Sequence, residues 1–197
     1  MGSSFLTRRK DDYVAFKSIV DDSLTEVTAD MLNGITTITD YAFAGCQNLE
    51  SVTLPGTVNT IDDYAFSNCS KLSNVVMQNG VTSIGGVAFL RCRSLTSITL
   101  PTSLDYISTA VFRECTSLNN ITIPSGVTNI GSSTFYGCSS LSSVTVEATT
   151  PPSLGSGVFS STSSSLVIYV PSGSVETYKT ANNWSTYADK IQAIPSP

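Results

Sequence analysis

Histidine is absent from this 197-residue chain, and only 13% of its residues are charged. The first absence removes the usual general base and the commonest metal ligand, and with them any Ser-His-Asp triad, although serine is abundant. There is no Gly-x-Ser-x-Gly turn, and the lysines (Lys10, Lys17, Lys71, Lys179 and Lys190) stand in no motif that would supply a Ser-Lys dyad. Ten basic residues against fifteen acidic ones give a net charge of -5, with no basic run beyond Arg8-Arg9-Lys10. The phosphate-neutralising footprint of a nucleic-acid binder is therefore missing. No apolar run approaches the roughly 18 residues of a membrane-spanning helix. Residues 1–10 have a basic end with no apolar stretch after it, which is not the pattern of a secretory signal. What remains is a length suited to one domain and an apolar fraction of 41%, enough for a core.

That apolar fraction is periodic. Cys46, Cys69, Cys92, Cys115 and Cys138 follow one another at 23 residues, and Phe43, Phe66, Phe89, Phe112 and Phe135 keep the same step. Ile38, Ile61, Ile84, Ile107 and Ile130 do likewise, as do a leucine column beginning at Leu49 and a β-branched column beginning at Val52. The unit is L-x-x-V-x-L-P-x-x-V-x-x-I-x-x-x-A-F-x-x-C. One such unit cannot bury its inward positions alone, so five units in fixed register predict a solenoid with a continuous core. Val52-x-Leu54, Val75-x-Met77 and Ile98-x-Leu100 alternate with period two and predict short strands, ended at Pro55, Pro101 and Pro124 because proline donates no ladder hydrogen bond. Val58-x-x-Ile61 predicts a second, weaker strand, and residues 62–68 a helical or 3₁₀ turn carrying Ala65 and Phe66 inward.

The fold class expected is thus α+β: stacked short parallel strands with short helical turns, capped at both ends. The expected divisions are a disordered tail over 1–12, an N-terminal cap with a degenerate repeat over 13–34, and five repeats over 35–148. A degenerate last repeat follows over 149–171, then a cap helix and tail over 172–197. Phe16, Ile19 and Val20 are the candidate cover for the first layer. Val175, Tyr178, Trp184, Tyr187 and Ile191, with Ser174 as helix N-cap, are the candidate cover for the last.

The unit C-x-x-L-x-x-V-x-L-P-x-x-V-x-x-I-x-x-x-A-F closely resembles the BspA-like (treponemal-type) leucine-rich repeat of bacterial surface proteins, over about residues 23–171. The tail from Tyr169-Val-Pro-Ser-Gly-Ser to Ile191 resembles the C-terminal cap of that family. Gln78 and Glu147 depart from it by replacing the proline, and the last unit lacks cysteine. The resemblance implies a non-enzymatic leucine-rich-repeat module at the cell surface or secreted, acting in adhesion by binding a host or bacterial protein or a glycan. A structural or receptor-binding part of a prophage or virion tail is the alternative, and a hydrolase is the third.

Five cysteines raise the question of disulfides, since stacked layers at ~5 Å fall within disulfide Cα range. Their odd number, and their place beside phenylalanine in every unit, instead predict buried reduced thiols acting as small apolar fillers. One ligand per layer is also not a metal motif, and no metal, cofactor or catalytic residue is expected. Asp40, Asp62 and Asp63 stack near Tyr41 and Tyr64, as a weak cation site, a glycosidase-like pair or a solvated turn. The outward positions of the strands, Ser51, Thr53, Asn74, Val76, Ser97, Thr99, Asn120, Thr122, Ser143 and Thr145, form a flat polar ladder with no aromatic or arginine anchor. A stronger candidate for partner binding is Arg91, Arg93 and Arg113 with Leu90 and Tyr136 beside them, three of ten basic residues gathered on adjacent turns. Glu114 is near enough in register to neutralise part of that charge. Asn68-Cys-Ser, Asn120-Ile-Thr and Asn183-Trp-Ser match a glycosylation triplet and mean little in a chain that resembles bacterial proteins. The expected partner is a protein or glycan, without nucleic acid or membrane, met by a monomer.

Overall fold

The computed structural model describes residues 23–196. Tail residues 1–12 and the cap side chains Phe16, Ile19 and Val20 lie outside them. In chain order the strands are β1 (Glu26–Val27), β2 (Thr37–Ile38), β3 (Ser51–Leu54), β4 (Thr60–Ile61), β5 (Asn74–Met77) and β6 (Ser83–Ile84). They continue with β7 (Tyr106–Ile107), β8 (Asn120–Ile123), β9 (Asn129–Ile130), β10 (Ser143–Val146), β11 (Ser153–Leu154), β12 (Val167–Val170) and β13 (Ile191–Ala193). Long and short strands alternate because each 23-residue turn of the solenoid contributes one of each.

Every pairing is parallel and keeps the repeat register, as in Val52 against Val75 and Ile61 against Ile84. The long strands form two sheets, β1-β3-β5 and β8-β10-β12-β13, and so do the short ones, β2-β4-β6 and β7-β9-β11. Inward side chains such as Val52, Leu54, Ile61 and Val144 are fully buried in one core. The predicted strand at Ile98-x-Leu100 departs from this pattern. Ile98 and Leu100 face inward, but residues 97–100 pair with neither neighbouring strand and both kinds of sheet are interrupted there.

The third side differs from the predicted helical turn. Residues 62–68 form successive turns in which Ser67 N–H donates to Tyr64 O, while Phe66 and Asn68 N–H donate across the layer to Ala88 and Leu90 O. Two left-handed residues per layer make this alternation possible, for example Tyr64 (φ 59°) with Asn68 (φ 60°), and Val87 (φ 54°) with Arg91 (φ 59°). A helix would direct all those N–H groups within one layer; here those of Asp62, Tyr64, Phe66 and Asn68 join layers. Valine, branched at Cβ, fits the left-handed region worst of these residues. Val87→Gly is therefore expected to raise stability by about 0.5–1 kcal/mol, the relieved backbone strain less the entropy of glycine, and a urea melt with a lowered midpoint would contradict it.

The phenylalanine column stacks through the core with ring centroids 5.2, 5.3, 5.6 and 5.7 Å apart from Phe43 to Phe135, then 5.6 Å to Phe159. Trp184 and Tyr187 end the stack, one tilted and one edge-on to Phe159. At this end α1 (Val175–Thr180) and the 3₁₀ segment Trp184–Lys190 close the core. Tyr178 and Trp184 are fully buried, and their polar atoms donate to Ala148 O and Pro152 O, each at 2.7 Å. Ser174 stands at the N-cap of α1 as expected, but its hydroxyl does not cap the helix and binds Thr149 O instead. That bond ties the cap to the preceding layer.

Candidate functional site

The 23-residue step brings Arg91 and Arg113 of the predicted arginine cluster together with Glu114 and Tyr136. Arg91 Nε lies 2.8 Å from Glu114 Oε2, and Arg113 Nε lies 3.5 Å from Glu114 Oε1. The Arg113 guanidinium also sits 4.7 Å over the centre of the Tyr136 ring. Glu114 and Arg91 occupy equivalent left-handed positions one layer apart, which is why their side chains leave the turn side by side. The hydrogen bond from Arg91, followed by the nearby charges of Arg91 and Arg113, holds the Glu114 carboxyl below the usual carboxylate range despite partial burial. Glu114 thus remains ionised between two cations.

The arginine side chains stay accessible: 47% of Arg91 and 42% of Arg113 is exposed. Arg93, one residue past Cys92, is exposed and has no ion-pair partner among the described residues. The result is a pair of guanidiniums, Arg91 and Arg113, sharing one internal counter-ion, with Arg93 exposed two residues past Arg91. One face of Arg113 is fixed against an aromatic ring, an arrangement suited to carboxylate partners because arginine presents a planar fork of donors.

The outward ladder is also present. Asn74, Val76, Ser97, Thr99, Asn120 and Thr122 are exposed, whereas Ser51, Thr53, Ser143 and Thr145 are half-buried. Its continuity is broken at Ser97 and Thr99, which belong to no sheet. An aromatic residue overlooked in the sequence stands in the same column: Tyr169 of β12 is in register with Thr145. Its position was readable from the inward alternation of Leu166, Ile168 and Val170, but the one-residue stretch of that unit, with Phe159 24 residues after Phe135, obscured the column.

Asp40, Asp62 and Asp63 gather at the N-terminal end of the solenoid, beside Tyr41 and Tyr64 stacked at 4.7 Å. Burial, and then the charges of Asp40 and Asp63, push the Asp62 carboxyl up. Asp63 Oδ1 accepts the Gly86 N–H at 2.6 Å, so one carboxylate of the cluster is occupied in joining layers. Among the described residues no group of three or more acidic, cysteine or histidine side chains has the geometry to hold a metal ion.

All five cysteines are buried and unpaired by disulfides. They are more than fillers. The thiols of Cys69, Cys92, Cys115 and Cys138 donate to the carbonyls of Phe43, Phe66, Phe89 and Phe112 in the preceding layer, at 3.0–3.2 Å. Burial pushes the Cys92 and Cys138 thiols up to about 12 and Cys115 well above its ordinary value. Cys69 is raised too, by its hydrogen bond with Cys46 and then by burial. These groups are protonated at neutral pH and cannot act as nucleophiles.

No curated protein matches the chain. The sequence profile described as the BspA type leucine rich repeat region matches in six copies, over residues 14–112 and 82–182. Among solved structures, a T. pallidum leucine rich repeat protein is similar over 88% of this chain and 87% of its own, at 26% identity and a TM-score of 0.66. A leucine-rich repeat protein from Bacteroides ovatus matches 64% of this chain and 41% of its own, at 28% identity and a TM-score of 0.47. A leucine rich cell surface protein from Faecalibacterium prausnitzii matches 89% and 64%, at 21% identity and a TM-score of 0.43. With the profile spanning most of the chain and its repeats laid out as stacked parallel strands, this protein belongs to the BspA-type leucine-rich repeat family.

Proposed function

We propose that the protein is a non-enzymatic recognition module, at the bacterial surface or secreted, whose turn face binds an acidic protein partner through Arg91, Arg93 and Arg113. The observation that carries this reading is the placement of the accessible Arg91 and Arg113 on adjacent layers around Glu114, with Arg113 over Tyr136. The turn column that carries the patch is joined layer to layer by backbone hydrogen bonds and loses little conformational entropy when the patch is covered, which favours binding by pre-organised complementarity. The patch stands on a protein of net charge -5, so it is a local exception to the charge of the surface, and steering by it is directional. Family membership supports a repeat-based interaction role, and the thin inventory of titratable side chains gives an enzymatic role nothing to work with.

The test is a capture screen of the monomeric protein against immobilised matrix proteins, plasma proteins and a glycan array, with the triple variant Arg91→Glu/Arg93→Glu/Arg113→Glu alongside. Saturable, salt-sensitive capture should be abolished in the variant, with its melting temperature within a few degrees of the parent because the patch lies outside the core. Undiminished capture by the variant would reject the arginine face and return attention to the strand ladder around Val76 and Tyr169. Capture confined to glycans would replace the protein partner with a carbohydrate one.

A further inference from the structure

Among the described residues the strand sheets of the solenoid have one discontinuity, and it lies at mid-length. Residues 97–100 share no strand hydrogen bond with β5 before them or β8 after them. Where the residue after a long strand is not proline it supplies a final rung, as Gln78 N–H does to Leu54 O at 3.1 Å and Glu147 N–H to Ile123 O at 3.0 Å, whereas β3 and β12, followed by Pro55 and Pro171, keep a shorter pairing with β1 and β10 without it. The two junctions with the rung, β3 with β5 and β8 with β10, keep all four residues in register. Pro101 and Pro124 occupy the same position in the fourth and fifth layers and have no N–H to give. The rung to Met77 and the rung to Leu100 are therefore both missing, on the two flanks of one strand.

The short-strand side parts at the same layer. No pairing joins β6 to β7. Ile61 O accepts the Gly85 N–H and Ile107 O the Gly131 N–H, but Ile84 O takes the hydroxyl of Ser108, at 2.7 Å. Ser103 Oγ likewise binds Val81 O, and Tyr106 OH meets Ser83 Oγ at 2.9 Å. Side chains replace the backbone here. Val75 and Ile98 keep 6% exposure and Leu100 4%, where Val52, Leu54, Val144 and Val146 have none.

On the turn side nothing is interrupted. Val87, Phe89 and Arg91 N–H donate to Thr109, Val111 and Arg113 O at 3.0, 2.9 and 2.8 Å, Phe89 stacks on Phe112 at 5.6 Å, and the Arg91–Glu114 ion pair spans the same junction. A body continuous along one side and joined only by side chains along the other two bends about the continuous side.

We infer that the solenoid is two rigid blocks hinged on the turn column at Phe89–Phe112, with residues 97–100 as a strand that belongs to neither. Bending about this line changes the curvature of the strand face, so a partner touching both Thr53 and Thr145 selects one curvature from those the hinge allows. The hinge does not depend on where, or whether, a partner binds.

Amide hydrogen exchange on the full chain tests this directly. Thr99 should exchange at least about 100-fold faster than Val76 and Thr145, its equivalents on either side, despite sharing their column. Pro101→Gln copies the residue already present at Gln78, restores the missing donor, and should slow exchange at Thr99 by about tenfold or more. Spin labels at Thr53→Cys and Thr145→Cys, which label selectively because the native thiols are buried, should give a broader distance distribution than labels at Thr122→Cys and Gln192→Cys within one block. Equal protection of Val76, Thr99 and Thr145 in the parent chain would overturn the hinge, as would equal widths for the two label pairs. Both readings use the unmutated Pro101, so they decide the matter even if Pro101→Gln fails to fold.

Discussion

Replacing Phe89 by alanine is expected to lower the free energy of unfolding by about 3–5 kcal/mol, a large part of the roughly 5–15 kcal/mol available to an ordinary domain. The ring is fully buried and stacks between Phe66 at 5.3 Å and Phe112 at 5.6 Å. Its loss removes contacts on both faces as well as the transfer energy of the side chain. The cavity cannot close, because the interlayer hydrogen bonds at Phe66, Asn68, Phe89 and Arg91 hold the neighbouring turns at their spacing. Phe89 also lies at the junction where the strand ladders are absent, so no strand pairing joins its layer to the next. Phe89→Leu, which keeps most of the volume, should cost about 1–1.5 kcal/mol. Urea denaturation of the parent and both variants measures the series, and an unchanged midpoint for Phe89→Ala would remove Phe89 from the core and the 23-residue register with it.

The columns that decide the fold were legible because each repeats five times without a slip. Phe, Cys, Ile and Leu at a fixed step identify the inward-facing side chains, and the meeting of Arg91 and Arg113 at Glu114 follows from the same step. Three features were not legible, each for a physical reason. Left-handed backbone at Tyr64, Val87 and Ala110 carries no glycine to announce it, so the turns read as helical. The open flanks of residues 97–100 lie where Pro101 and Pro124 stand in successive units, so that one strand lacks its closing rung on both sides, and a single unit shows only that its strand ends. The thiol hydrogen bonds to the preceding layer reach between units as well, whereas composition shows only that cysteine is small and apolar. What the repeat pattern conveys well is the content of one layer; what it conceals is the bonding between layers.

That bonding gives the second large expected effect, a collapse of stability in alkali. The Cys69, Cys92, Cys115 and Cys138 thiols are all held above their ordinary value of 9.0, with Cys92 and Cys138 at about 12. A thiol whose ionisation is suppressed by folding contributes stability that is fully present below pH 9 and is lost as the pH rises toward the folded value. The unfolded chain releases these protons first. Each thiol then costs about 1.4 kcal/mol per pH unit above 9, so the four together remove about 6 kcal/mol by pH 10. Burial raises the Tyr178 hydroxyl as well, which adds a further loss of the same sign above pH 10. Urea denaturation at pH 7.5, 9 and 10 should therefore show the midpoint falling steeply between the last two. Cys115→Ala, although less stable at pH 7.5, should lose about a quarter less between pH 9 and 10, because one of the four suppressed thiols is gone. A stability that stays level from pH 8 to 10, or a Cys115→Ala variant with an unaltered alkaline slope, would show that the column titrates freely and is not sealed between the layers.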